Sequence, residues 1–208
     1  MRRYESYKPS GISWIKEIPS HWNVVTWRSI LKEHTETNNP IVTRELLALS
    51  YALGVTRYRD KKYNMDRVKD DFSQYKVVHE NDFVISPNDI IKGSAYRSGY
   101  YGCISPMYLT YHSLSGDMTE LDFFGFYIRT SQVGRELFSL AKGLIGSVLE
   151  NGKYVTRRMT VGRNEINNFR IILPPKKEQK KIVEFLSNKT SLIDAQQRER
   201  ESYGCLTS

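Results

Sequence analysis

Short apolar, β-rich runs are mixed with amphipathic helical ones in no regular βαβα order, which predicts an α+β domain rather than a doubly wound sheet. A second observation adds a long C-terminal helix. The apolar run Phe169-Arg-Ile-Ile-Leu173 meets Pro174-Pro175, and a long charged segment follows. Proline cannot donate to a strand ladder but is tolerated in the first turn of a helix, so the pair marks an abrupt strand-to-helix switch. Beyond it Ile182, Phe185, Leu186, Leu192 and Ile193 recur at spacings of three, four and seven, on one side of a helix. Lys176, Lys177, Lys180, Lys181 and Glu184 lie mostly on the other side. Periodicity alone does not separate a helix packed on its own domain from one that leaves to pair with another. The expected division of the 208 residues is a domain over 1–174 and a helix with its tail over 175–208.

Residues 1–23 are a polar lead-in around a compact cluster, in which Trp14, Ile15, Ile18 and Trp22 can tie the segment onto the domain and Pro19 stops any helix. Residues 23–27 read as a strand or as the run into a helix ending near Lys32. Residues 33–40 are polar and read as a loop, and 46–51 as a short buried strand. Residues 54–71 lack an apolar period and read as an exposed loop. Two strands follow at 76–79 and 82–86, divided by the turn residues Glu80-Asn81. Residues 102–111 alternate as a strand with an irregularity at Pro106. Helix-start chemistry at 117–119 precedes Phe124, Ile128, Val133, Leu137 and Leu140, whose spacing predicts two helices, and Gly143 and Gly146 break that pattern. Residues 161–167 read as a turn or short helix and 169–173 as a closing strand.

Composition bounds the chemistry. No run of about 18 apolar residues occurs, so no transmembrane helix is expected. The N-terminus lacks the apolar core of a signal peptide, and Cys103 and Cys205 have no spacing that suggests zinc or redox chemistry. The expected setting is cytoplasmic, without metal or cofactor. The formal charge of +8 raises the odds of a polyanionic partner, because neutralising phosphates releases condensed counterions. Nucleotide-binding G-x-G-x-x-G and G-x-x-x-x-G-K-[ST] motifs, an H-E-x-x-H pair and a G-x-S-x-G elbow are all missing. So is the Asp- or Asn-Pro-Pro-aromatic tetrapeptide of an amino-methyltransferase, of which Ser86-Pro-Asn-Asp89 is only a superficial echo. Asp82 and Asp89 beside Lys92 read as turn carboxylates next to a basic loop rather than as a nuclease set. No catalytic constellation is expected.

The positive signal is three basic and aromatic segments, at 57–67, 92–97 and 153–158. Arginine can bind guanine bidentately in the major groove, while Lys and Arg on phosphates set register without reading sequence. Arg57, Arg59, Lys92, Arg97, Lys153, Arg157 and Arg158 fit such work, and Tyr58, Tyr96 and Tyr154 can pack on sugars or donate to phosphates.

Several segments together resemble the specificity (S) subunits of type I restriction-modification systems. At the N-terminus the resemblance lies in Tyr7-Lys-Pro-Ser-Gly-Ile-Ser-Trp-Ile-Lys-Glu-Ile-Pro-Ser-His-Trp22. In the middle it lies in Tyr75-Lys-Val-Val, Asp82-Phe-Val-Ile-Ser-Pro-Asn-Asp-Ile-Ile-Lys-Gly93 and Gly102-Cys-Ile-Ser-Pro-Met-Tyr108. At the C-terminus it lies in Ile172-Leu-Pro-Pro-Lys-Lys-Glu-Gln-Lys-Lys-Ile-Val-Glu-Phe-Leu186 and Lys189-Thr-Ser-Leu-Ile-Asp194. The resemblance implies a non-catalytic reader of double-stranded DNA, one mixed α/β target recognition domain with a pairing helix of the antiparallel coiled-coil type. It implies methylation (M) and restriction (R) subunits as partners, which the chain directs to its site. The family carries two such domains, whereas this chain carries one, and its apolar stripe fades after Ile193. A helix from Pro175 to about Tyr203 is on the order of 40 Å long. The chain is therefore expected to be a half-subunit that pairs with itself or with another S fragment, or a truncated product. The alternative is an interaction module that binds methylation subunits without reading DNA productively.

Overall fold

The computed structural model describes residues 4–60, 71–88, 94–143 and 159–205, as a mixed α/β domain with a long C-terminal helix. Strands β1 (Tyr7–Ile12) and β2 (Ile15–Pro19) form an antiparallel hairpin. β3 (Asn23–Thr26) and β4 (Leu31–His34) follow, then the hairpin of β5 (Leu47–Ser50) and β6 (Gly54–Arg57). β7 (Lys76–Val78), β8 (Phe83–Ile85), β9 (Ala95–Arg97), β10 (Gly102–Ile104) and β11 (Leu109–Ser113) precede three helices, α1 (Met118–Ile128), α2 (Ser131–Leu140) and α3 (Arg163–Asn168). β12 (Arg170–Leu173) and α4 (Lys176–Cys205) complete the chain.

The central sheet is antiparallel in the order β4-β11-β8-β9. Its middle strand β8 is buried throughout, and the two-residue period of a strand divides it between two cores. Phe83 and Ile85 enter the main core around Trp27, Phe124, Ile128 and Leu137. Val84 points the other way, into a smaller core of Leu47, Val55, Val78 and Ile104, rimmed by Tyr96, Tyr100 and Tyr108. Trp27 is fully buried, with its ring edge-on to Phe124 at 4.5 Å and 89°.

Helix ends follow local chemistry. Asp117 accepts from the backbone N–H groups of Thr119 and Glu120 at the start of α1. Thr130 accepts from Val133 N–H at the start of α2, so the predicted pair of helices is present with a break at residues 129–130. The double proline switches β12 to α4 as its geometry requires.

Three sequence expectations need correction. No helix follows β3: Trp27 donates its N–H to Phe169 O, extending the β3–β12 pairing into a single 3-10 turn, and β4 resumes as a strand. Burial of Trp27 and Leu31 imposes this, with Glu33 and His34 paired to Tyr111 and Thr110 instead of lying in a loop. The expected exposed loop at 54–71 begins as β6, because Gly54 and Val55 are buried and the strand pairs with β5. The strands β7 and β8 lie where expected; β7 pairs with β10, and β8 with β9 and β11.

Candidate nucleic-acid interface and helix junction

The three basic and aromatic segments fare differently. Lys92 lies outside the described residues, as do Lys153, Tyr154, Arg157 and Arg158. The described residues that flank these two stretches are bonded to each other. Thr160 Oγ1 donates to Asn88 Oδ1 at 2.6 Å, and Val161 N–H donates to Pro87 O at 3.1 Å. Lys142 and Thr160 exchange two backbone hydrogen bonds, of 2.8 and 2.9 Å. Pro87-Asn88 and Thr160-Val161, more than 70 residues apart in sequence, are thus tied together.

Among the described candidates, several side chains already have partners. Arg97, in β9, donates Nε to Asp122 Oδ1 at 3.0 Å and Nη1 to Asn81 Oδ1 at 2.7 Å. Arg59 pairs with Glu45 at 2.9 Å. Tyr96 donates its hydroxyl to Tyr51 O, so it holds the tip of the β5–β6 hairpin. Gly54 fits beneath Tyr96: it has φ +69, and a Cβ there would meet the ring at 2.9 Å. Tyr58 packs on a third small core with Leu46, Tyr75 and Cys103. Arg57 lies over Tyr100, 4.9 Å from its ring centroid. Sequence reasoning missed Arg129, which lies over Tyr96 at 4.6 Å and Phe126 at 5.2 Å. It falls outside every basic run, and its nearer ring, Tyr96, is 33 residues upstream, although Phe126 lies only three residues before it.

The start of α4 is fastened by polar contacts. Glu178 accepts from Tyr4 Oη at 2.8 Å and from Trp22 Nε1 at 3.0 Å, and it pairs with His21 Nε2 at 2.5 Å. Burial works against its ionisation, but the hydrogen bonds from His21, Tyr4 and Trp22 outweigh this and hold the carboxyl below its usual range. Lys176 Nζ pairs with Asp117 Oδ2 at 2.8 Å, and this contact, more than the capping N–H bonds, lowers the Asp117 carboxyl's pKa. The buried Gln179 donates to Pro174 O at 2.7 Å.

From there α4 packs along α1. Ile182 and Leu186 are half-buried, whereas Phe185, Leu192 and Ile193 are 61, 57 and 53% exposed. The five apolar positions read as one stripe therefore divide: Ile182 and Leu186 are partly covered by this domain, whereas Phe185 between them, Leu192 and Ile193 are left exposed.

Other reactive groups are occupied or muted. Cys103 is buried, which pushes its thiol up to about 11 with help from Glu45. His34 pairs with Asp82 and His79 with Glu36. Among the described residues no group of three or more His, Cys, Asp or Glu is arranged to hold a metal, and no helix is long and apolar enough to cross a membrane.

Comparison with known proteins agrees with this architecture. A family model described as "Type I restriction modification DNA specificity domain" matches residues 136–202, from within α2 into α4. No curated protein sequence matches the chain. Among solved structures, the HsdS subunit from Thermoanaerobacter tengcongensis is similar with a TM-score of 0.53 at 16% identity, over 92% of this chain and 42% of that one. A chain from "Structural basis underlying complex assembly and conformational transition of the type I R-M system" is similar with a TM-score of 0.51 at 17% identity, over 92% of this chain and 43% of its own length. This chain thus spans less than half the length of either.

Proposed function

We propose that this chain, which has the fold of an HsdS target recognition domain and carries a type I specificity-domain match, reads duplex DNA for a type I restriction-modification system without itself catalysing a reaction. In this role it directs methylation and restriction subunits to its site, working in the cytoplasm. The observation that carries the reading is the tied stem at Asn88, Lys142 and Thr160. It ties together the described residues that flank two basic, aromatic stretches, and in this reading Lys92, Lys153, Tyr154, Arg157 and Arg158 contact one duplex. Arg57, Tyr58, Arg59, Tyr96 and Arg97 support this surface, with Arg97 and Tyr96 acting through the contacts that anchor them. The exposed part of the α4 stripe, led by Phe185, Leu192 and Ile193, pairs with a second copy or another S fragment.

The test is binding of the full chain to a random pool of duplexes, alone and with a methylation subunit. Lys92→Ala and Arg157→Ala should each weaken binding and lower the salt dependence. Equal binding by both variants and the wild type would remove these stretches from the site. The exposed α4 stripe also suits an interaction module that captures methylation subunits without reading DNA. That second reading predicts subunit capture with no shift of any duplex.

A further inference from the structure

We propose that the groove between the tip of the β5–β6 hairpin and the start of α2 binds the sugar-phosphate backbone of the DNA, with Arg129 and Arg135 as its phosphate contacts. The inference rests on the DNA-reading function above and adds a surface outside the basic segments seen in the sequence. The groove is about 460 Å³ in volume and is lined by Tyr51, Arg129, Ser131, Arg135 and Phe138, with no carboxylate among its lining residues.

Arginines serve this fold in two ways: Arg59, Arg97 and Arg163 pair with Glu45, Asp122 and Glu33, whereas Arg57 lies over Tyr100 and Arg170 donates to Gly11 O. Among the described residues neither Arg129 nor Arg135 makes an ion pair, although both are exposed on one groove. Arg129 is also held in place before any ligand arrives. Its guanidinium lies over the Tyr96 ring, and Tyr96 is itself pinned to Tyr51 O. Stacking uses a face of the guanidinium and leaves its in-plane N–H donors for an anion. Arg135 donates to Gln132 Oε1, which steadies it on α2 while sparing further donors.

The walls identify the anion further. Tyr51 is 65% and Phe138 54% exposed, so the groove offers aromatic surface beside its charges. A small inorganic anion would leave that surface in water, whereas a nucleotide backbone alternates charged phosphate with apolar sugar edges. Chain continuity favours DNA over an acidic protein segment. Two residues beyond α2 the chain reaches Lys142, whose backbone bonds to Thr160 form the stem of the basic segment. Groove and stem are therefore joined through one short helix.

Anisotropy of a labelled mixed-sequence duplex with the full chain, between about 50 and about 250 mM salt, tests this. Arg129→Gln and Arg135→Gln should each reduce the slope of log affinity on log salt by about 0.9, an affinity loss of about eightfold at ~0.1 M salt. The loss should be the same for every sequence, since phosphate contacts carry no base information. Arg129→Lys and Arg135→Lys should keep the wild-type slope, which a purely structural role would not require. Wild-type binding with unchanged slopes in both Gln variants overturns this proposal and leaves the DNA-reading function standing. Unchanged slopes with weakened capture of a methylation subunit overturn it in favour of an acidic protein partner. Failure of the wild type to bind any duplex removes both.

Discussion

Replacing Glu178 with alanine unfastens the N-terminal segment from α4. The Trp22 bond is 3.0 Å long and part-buried, and removing its charged acceptor costs about 1 kcal/mol net. The Tyr4 bond of 2.8 Å is exposed and adds about 0.5 kcal/mol. The His21 side chain is 48% exposed, so that contact is treated as a surface pair worth a few tenths, roughly 0.3 kcal/mol. The expected destabilisation is about 2 kcal/mol, or about 4–8 °C in melting temperature for a chain of this size. Urea unfolding followed by tryptophan fluorescence measures it, and a cycle with Trp22→Phe should give a coupling of about 1 kcal/mol. The pH dependence has a definite sign. A carboxyl whose pKa is lower in the folded than in the unfolded chain stabilises the fold above its unfolded value, and that contribution is lost as pH falls through the folded value. Wild type should therefore lose its advantage over the alanine variant on acidification below the ordinary carboxylate range. A midpoint unchanged by the substitution, or strict additivity with Trp22→Phe, would refute the reasoning.

Two further outcomes follow from packing. Phe185→Lys and Leu192→Lys, at positions 61 and 57% exposed, should change monomer stability by no more than about 0.5 kcal/mol yet abolish self-pairing or capture of an S fragment in sedimentation experiments. Leu186 is the poorer probe, because it is half-buried in the domain where α4 packs along α1. Gly54→Ala should cost about 2 kcal/mol in a thermal melt, because Gly54 has φ +69 and the new Cβ would press on Tyr96. An unchanged melt would show that the hairpin tip yields freely.

The features legible in the chain are those whose cause is local. Asp117 caps α1 because its side chain reaches N–H groups two and three residues on, and Pro174-Pro175 must end a strand and can begin a helix. The buried run at 83–85 is a strand because its neighbours fit both faces of a sheet. β6 was hidden because Gly54 and Arg57 look like loop residues until β5 pairs with them. The turn at Trp27 was hidden because its geometry follows from burial against Phe124 and a bond to Phe169.

By itself the sequence determined the mixture of elements, the strand-to-helix switch and the basic stretches, because propensity, capping and charge act within a few residues. Tertiary structure decided which basic side chains remain free to meet a ligand. Arg97 and Arg59 are drawn into ion pairs by Asp122 and Glu45, whereas Arg129 is laid on Tyr96 with its charge unneutralised among the described residues. It also divided the α4 stripe between the domain and what lies beyond. One spacing pattern marks Ile182 and Leu186, which are half-buried, and Phe185, Leu192 and Ile193, which are exposed, because apolar surface is buried only where a partner stands opposite it.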